Sequence, residues 1–234
     1  PRGVYRADGA MGQFTIVVPE RDMILAITEY ANGGTGSEMP QRVLDTFWAF
    51  LDRLPAPETE KLPADAAAAD HLARRMRTLA LPAPAFRPVS DWQSRVQDVC
   101  YRDSTPGLYF NGNGAARMMT GAPQPDNVTS LTLHFAPGRC ELRYQQGTLA
   151  KTLIAATDGS RWANHLDGLP SEALCSGAWT ADDLFELRIR WIETCNETVW
   201  RFRFAEEGLT IETDRGLFES APCRFTACPD WTPV

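Results

Sequence analysis

The sequence predicts an α+β chain of two parts, a short segment of strands and helices followed by an antiparallel β-barrel. Near the start, two apolar runs precede two segments with helical spacing. After residue 95, apolar and polar residues alternate with a period of two. The change falls on a proline-rich stretch that we interpret as a stiff linker. The predicted divisions are therefore 1–80, a linker at 81–94, and a β-domain at 95–234.

Composition narrows the classes of function. The 234 residues are 44% hydrophobic with a formal net charge of −7, which is typical of a globular protein and argues against nucleic acid as a partner. No apolar run is long enough to span a membrane, so we expect no membrane partner and a cytoplasmic location. The six cysteines form no C-x-x-C pair and the three histidines have no ligand spacing, so we assign no metal and no cofactor.

The first segment begins with a predicted hairpin. Residues 13–18 and 23–28 are apolar runs separated by Pro19-Glu20-Arg21-Asp22, a turn-forming sequence. Because the runs are nearly continuous, we expect both faces of these strands to be covered. Amphipathic helices are predicted from near Ser37 to Leu51 and from Pro63 to Leu81.

The second segment contains roughly eight short predicted strands, the number and spacing that favour a barrel or sandwich, of which we favour the barrel. The clearest pair alternates Phe185, Leu187, Ile189 and Trp191 with polar residues and then continues into 200–204. This pattern predicts a long hairpin with an aromatic inner face. The arginines on its outer face are expected to pair with neighbouring glutamates.

The stretch Tyr5-Arg6-Ala7-Asp8-Gly9-Ala10, with the strands and helix that follow, resembles the late part of β-lactamase-related, penicillin-binding-protein-like serine hydrolases. The resemblance implies that 1–80 is the C-terminal remnant of such a catalytic α/β domain and that the barrel is an accessory domain. It places Asp8, Gly9 and Ala10 in the wall of the parent's substrate-binding site. The backbone N–H of Ala10 would be one hydrogen-bond donor of the oxyanion hole. Taken without the resemblance, Asp8-Gly9 is an ordinary turn.

The sequence lacks the nucleophile motif of that family. That family acylates the serine of S-x-x-K, and no serine here has lysine three residues later; G-x-S-x-G is absent as well. The chain is therefore expected to be a fragment that is inactive by itself, and whether it is an enzyme at all is left open. Its expected partner is the remainder of the catalytic domain or a second copy of the chain in a homodimer.

A non-enzymatic alternative comes from the barrel. In it the chain is a ligand-binding or interaction module that dimerises through its N-terminal segment. The aromatic residues Trp191, Trp200 and Phe202 would line a cavity like that of a lipocalin. Such residues more often form simply the packed interior of a barrel.

Overall fold

The computed structural model describes residues 3–9, 12–29, 39–55, 64–87, 89–105, 108, 126–167, 171–193, 197–214 and 222–228. The chain divides into two compact units, Pro1–Pro82 and Ala83–Val234. Residues 83–94 of the predicted linker thus group with the second unit. Within the described part of the chain, every helix is too short or too polar to cross a membrane.

Unit 1 contains a three-stranded antiparallel sheet in the order β1 (Tyr5–Gly9), β2 (Gln13–Val18) and β3 (Met23–Ile27). A short 3₁₀ turn, Pro19–Arg21, joins β2 to β3, and Asp22 takes a left-handed φ of 47° to complete it. The predicted hairpin is present. Its turn follows from the fixed φ of proline and the tolerance of Asp for the left-handed region.

Helix α1 (Met39–Arg53) covers one face of this sheet. The buried side chains alternate along β2 and recur at helical spacing along α1; they are Phe14, Ile16, Val18, Leu44, Phe47 and Leu51. Thr15, on the other face of β2, is exposed, and every residue of β1 is exposed as well. The expectation that both faces would be covered is wrong among the described residues, because a single helix buries only the alternate side chains of β2.

Helix α2 (Ala66–Arg77) begins at the Asp65 N-cap, whose carboxylate accepts a hydrogen bond from Ala68 N–H at 2.9 Å. None of its side chains is buried. Its predicted apolar stripe exists but is exposed, with Leu72 59% and Met76 62% accessible. The cap and the alanines stabilise this helix locally.

Unit 2 is the barrel. Its described residues form α3 (Trp92–Val96) and ten strands. Their bounds are β4 (Cys100–Asp103), β5 (Val128–Ala136), β6 (Arg139–Gln146), β7 (Leu149–Ala156), β8 (Trp162–His165), β9 (Glu172–Ala181), β10 (Leu184–Trp191), β11 (Glu197–Ala205), β12 (Gly208–Asp214) and β13 (Cys223–Ala227). The eight predicted strands are present, and β8 and β9 are additions that the alternation did not indicate.

The sheet closes on itself. Its order is β10-β11-β12-β13-β4-β5-β6-β7-β9-β8, and β9 also pairs with β10, so nine of the described strands form a ring. The predicted antiparallel barrel is confirmed at this level, since every pairing except β7–β9 is antiparallel. Closure removes the open edges that would otherwise invite association.

The junction between β7 and β9 is the weak point of the ring, with one parallel residue pair, Ala156 and Ser176. At this junction the side chain of Asn164 on β8 forms hydrogen bonds to the backbone of Ile154 on β7. Its Oδ1 accepts from Ile154 N–H at 2.8 Å, and its Nδ2 donates to the Ile154 carbonyl at 2.8 Å. An amide side chain thereby replaces a missing backbone partner and satisfies both polar groups of Ile154.

The outer face of β10 and β11 carries an ion-pair network. Glu186, only 8% exposed, accepts from Arg188 and from Arg201 at 2.7 and 3.2 Å. Glu197 pairs with Arg188 and Arg190 at 3.2 and 3.1 Å. The predicted pairing with neighbouring glutamates is confirmed for Arg188, Arg190 and Arg201, whereas Arg203 pairs with Asp183 at 3.0 Å.

Candidate functional site

The three aromatic residues predicted to line a cavity all lie inside the barrel. Trp191, Trp200 and Phe202 are 3%, 1% and 0% exposed and belong to one contiguous apolar cluster. The Trp191 indole N–H donates to Thr198 Oγ1 at 3.3 Å. They pack against neighbouring core residues, and a role in contacting ligand stays a prediction for them.

A chain of aromatic rings leads from this interior to one end of the barrel. Phe185 meets Phe135 edge-on with ring centroids 5.2 Å apart, and Trp179 stacks on Phe135 at 5.7 Å. Trp179 also contacts Phe204, which stacks on Trp92 of α3 at 6.4 Å. The aromatic interior therefore continues to the surface beneath α3.

At that end lies an open groove of about 700 Å³. Its walls come from α3 with the residues on either side of it, and from the end of β5: Val89, Ser90, Asp91, Gln93, Ser94, Arg95, Gln97 and Phe135. Phe135, 9% exposed, contributes the aromatic part of the lining. The groove thus joins a polar rim to the edge of the apolar cluster, an arrangement common in small-molecule sites.

Several hydrogen bonds hold α3 over the barrel. The Ser90 hydroxyl is buried and donates to the Asp182 carbonyl, while Arg87 pairs with the Asp182 carboxylate at 2.6 Å. Trp179 Nε1–H donates to Gln93 Oε1 at 3.4 Å. Because α3 spans five residues, these contacts rather than helix propensity determine its position.

A polar cluster lies beside the groove. His134 Nδ1 lies 2.9 Å from Asp98 Oδ1, and Gln97 Nε2 donates to Asp98 Oδ2 at 3.0 Å. Gln97 Oε1 accepts the backbone N–H of Phe135 at 2.9 Å. Asp98 adopts a left-handed φ of 58°, which turns its carboxylate toward both partners. These contacts fix Phe135 at the groove, and sequence spacing did not reveal them.

Arg95 is the cation of the groove. Its guanidinium lies over the Trp92 ring, 5.2 Å from the centroid. Within the described ranges, no carboxylate lies within ion-pair distance of it. A stacked guanidinium keeps its N–H donors available for an anion.

The interior itself disfavours charge. Burial raises the pKa of Tyr101 to about 12 and that of the Cys175 thiol to about 12. The pKa of Cys140 is raised as well, first by burial and then by the charge of Glu141. An ionised ligand group would therefore be bound at the rim of the groove and not within the barrel.

The residues predicted to form a hydrolase wall lie in unit 1. Asp8 pairs with Arg6 at 2.8 Å, and the structure places both on the exposed strand β1. A Cβ at Gly9 would come within 2.9 Å of Gln13 Cβ, so glycine permits close approach of β1 and β2. Ala10 lies outside the described residues. The role of these three residues in a parent enzyme depended on the family resemblance and is untested.

Among the residues that the structure describes, no group of three or more His, Cys, Asp or Glu side chains is placed to hold a metal ion.

Comparison with known proteins corrects the family prediction. No protein-family profile and no curated protein matches the chain. The similar solved structures include As-p18, an extracellular fatty acid binding protein, at 9% identity and TM-score 0.43, covering 61% of this chain and 100% of that one. They also include the fatty-acid-binding protein of Manduca sexta (8%, TM-score 0.39, 57% and 99%) and that of Schistosoma mansoni in complex with arachidonic acid (9%, TM-score 0.41, 58% and 98%).

The predicted relationship to β-lactamase-related or penicillin-binding hydrolases is therefore wrong, since the solved structures found belong to fatty-acid-binding proteins instead. The prediction depended on the stretch from Tyr5 to Ala10 together with the nearly continuous apolar runs on either side of Pro19–Asp22. Those runs form a small sheet that α1 covers on one face, with the opposite face exposed. Among the two functional interpretations, the β-barrel agrees with the non-enzymatic one.

Proposed function

We propose that the chain is a non-enzymatic β-barrel module that binds a small amphipathic anion in the groove beneath α3. The observation that carries the proposal is the lining of the groove, where the apolar ring of Phe135 and the side chain of Val89 accompany the cation of Arg95. An apolar body and a single anionic group are the complement of that surface.

The size of the groove supports a ligand of this class. A volume of about 700 Å³ falls inside the range of roughly 300–1,000 Å³ typical of small-molecule sites. Val89 is 59% exposed, so covering it would remove apolar surface from water. Arg95 and the amide of Gln93 offer N–H donors at the same rim.

The anion would remain at the rim because the interior penalises charge, as the raised pKa of Tyr101 indicates. The apolar part would extend toward Phe135 and the aromatic rings behind it. Asp91 also lines the groove, and its carboxylate would disfavour ligands with a second negative charge near α3.

Titration with 1-anilinonaphthalene-8-sulfonate, an aromatic anion, tests the proposal on the full chain. We expect saturable enhancement of the dye emission and a change in tryptophan fluorescence, since Trp92 and Trp179 border the site. Oleate, from the class of compounds for which the similar solved structures are named, is the first competitor to add.

Matched variants separate this groove from general surface binding. Arg95→Ala should weaken dye binding about five- to tenfold through loss of a charge-assisted contact. Arg139→Ala is the control, because Arg139 also lies over an indole, that of Trp162 at 5.9 Å, but lines no part of the groove.

A second pair tests the apolar side. Val89→Asp should weaken binding, whereas Leu149→Asp, at an equally exposed position (59%) outside the groove, should not. Failure of the wild-type chain to bind the dye saturably, or equal affinities for Arg95→Ala and Arg139→Ala, would contradict the proposed site.

We further propose that the chain dimerises through its N-terminal segment. In support, Tyr5, Val17 and Ile24 form one cross-strand row on the open face of the sheet, and Tyr5 and Ile24 are 63% and 69% exposed. An exposed apolar row of this kind favours association.

A further inference from the structure

The first and last strands of the barrel bring two cysteines face to face. Strands β13 and β4 pair so that Phe225 opposes Asp103 and Ala227 opposes Tyr101. The same register continues to Cys228, whose N–H donates to the Cys100 carbonyl at 2.8 Å. Residues directly opposite in an antiparallel pair extend their side chains from the same face of the sheet.

The side chains of Cys100 and Cys228 extend from the outer face of the barrel wall. Tyr101 and Ala227, one position away, contact the interior cluster, so alternation directs Cys100 and Cys228 outward. Both thiols are reduced in the structure; Cys100 is 3% exposed and Cys228 is partly exposed.

The spacing suits a covalent bond. Opposed residues in a hydrogen-bonded antiparallel pair have Cα atoms about 5.5 Å apart, and disulfides join Cα atoms that are roughly 4.4–6.8 Å apart. Burial is the main cause of the raised pKa of the Cys100 thiol, and the charge of the nearby Cys228 is the next.

Strand register places residues other than cysteine opposite Cys140, Cys175 and Cys223. Cys140 opposes Phe135 and Ala155, Cys175 opposes Ile189 and Trp162, and Cys223 opposes Ile211. Within the described part of the chain, Cys100 and Cys228 are thus the pair that strand register aligns.

We propose that Cys100 and Cys228 are a redox-sensitive pair that a disulfide oxidant such as oxidised glutathione converts into a bond joining the first and last strands of the barrel. The more accessible Cys228, as thiolate, attacks the glutathione disulfide, which releases one glutathione thiolate and leaves a mixed disulfide. The Cys100 thiolate then attacks the Cys228 sulfur and displaces the second glutathione. The two protein thiols lose two protons and two electrons, which the two glutathione molecules receive.

The bond would close a loop containing nearly the whole barrel. Cross-linking residues so far apart in the chain restricts the unfolded state strongly, and the folded strands already lie in register. The oxidised barrel should therefore unfold at a temperature higher by about 5–10 °C.

The test equilibrates the full chain with oxidised glutathione, blocks remaining thiols with N-ethylmaleimide, and maps tryptic peptides by mass spectrometry. We expect a disulfide between peptides 96–102 and 225–234, which contain Cys100 and Cys228. The melting temperature should rise in the oxidised chain and return on reduction with dithiothreitol.

Cys228→Ser is the informative variant, because a partly exposed side chain can be replaced without disturbing the core. It should remove both the linked peptides and the melting shift. Cys223→Ala, at the first residue of β13 and in the interior cluster, should retain both. Alkylation of Cys100 and Cys228 after oxidation, a persistent glutathione adduct on Cys228, or linkage to a different cysteine would overturn the proposal.

Discussion

A methyl group added at Gly177 would collide with the ring of Phe185. A Cβ at this position in β9 would lie 2.5 Å from Phe185 Cζ and 3.2 and 3.3 Å from Cε1 and Cε2, whereas carbon atoms in contact are normally about 3.5–4.0 Å apart. The ring cannot withdraw easily, because Phe185 is 0% exposed and meets Phe135 and Trp179 at 5.2 and 5.4 Å. Gly177→Ala should therefore destabilise the barrel by about 1–3 kcal/mol, the usual cost of overpacking.

Thermal unfolding followed by tryptophan fluorescence measures this cost in unit 2, since every tryptophan except Trp48 lies there. A destabilisation of about 2 kcal/mol should lower the melting temperature by about 4–8 °C for a unit of this size.

A double-mutant cycle then tests the cause. In a Phe185→Leu background, the shorter side chain leaves room for the new methyl group, so adding Gly177→Ala should cost less than about 0.5 kcal/mol. An equal cost of Gly177→Ala in both backgrounds would refute the proposed collision.

Three further predictions concern polar groups. Asn164→Ala should destabilise the barrel by about 2–3 kcal/mol and speed amide exchange at Ile154, because both backbone groups of Ile154 lose their partner; unchanged exchange at Ile154 would contradict the bridging role of Asn164. Glu186→Ala should reduce the urea-unfolding free energy by about 1–3 kcal/mol because Arg201 loses the carboxylate it pairs with and Arg188 keeps only its pair with Glu197, while Asp183→Ala, which breaks a more exposed pair with Arg203, should cost less than about 1 kcal/mol. Tyr101 has its pKa raised to about 12 by burial, so the stability it contributes is complete below about pH 10 and is lost as the pH rises toward 12. Urea unfolding across that range should show a shallower alkaline loss for Tyr101→Phe than for the wild-type chain, and equal slopes would exclude Tyr101 as a cause.

The strands with one buried face could be predicted from the sequence because their side chains alternate. In β10, for example, Phe185, Leu187 and Ile189 point inward and Arg188 outward, and this pattern depends on local geometry alone. Strand β9 was not predicted, because the residues from Cys175 to Trp179 are all buried and the strand therefore shows no alternation of apolar and polar residues there. Such a run cannot be distinguished from other buried segments by periodicity.

The family prediction failed for a related reason. It depended on the stretch from Tyr5 to Ala10 and on the apolar runs that follow, and a short strand followed by a hairpin occurs in many small sheets. The candidate groove was missed because α3 is too short to show a helical period, and its position depends on contacts such as that between Ser90 and Asp182.

The sequence by itself determined the local elements of this protein: the hairpin, the two helices with amphipathic spacing, and the alternating strands of the second unit. These follow from backbone geometry and the preferences of neighbouring residues. Only the tertiary structure decided that β13 pairs with β4, that Phe135 and Arg95 line the same groove, and that Cys100 faces Cys228. Closure of the ring pairs strands far apart in the chain, and that pairing depends on the packing of the whole interior at once.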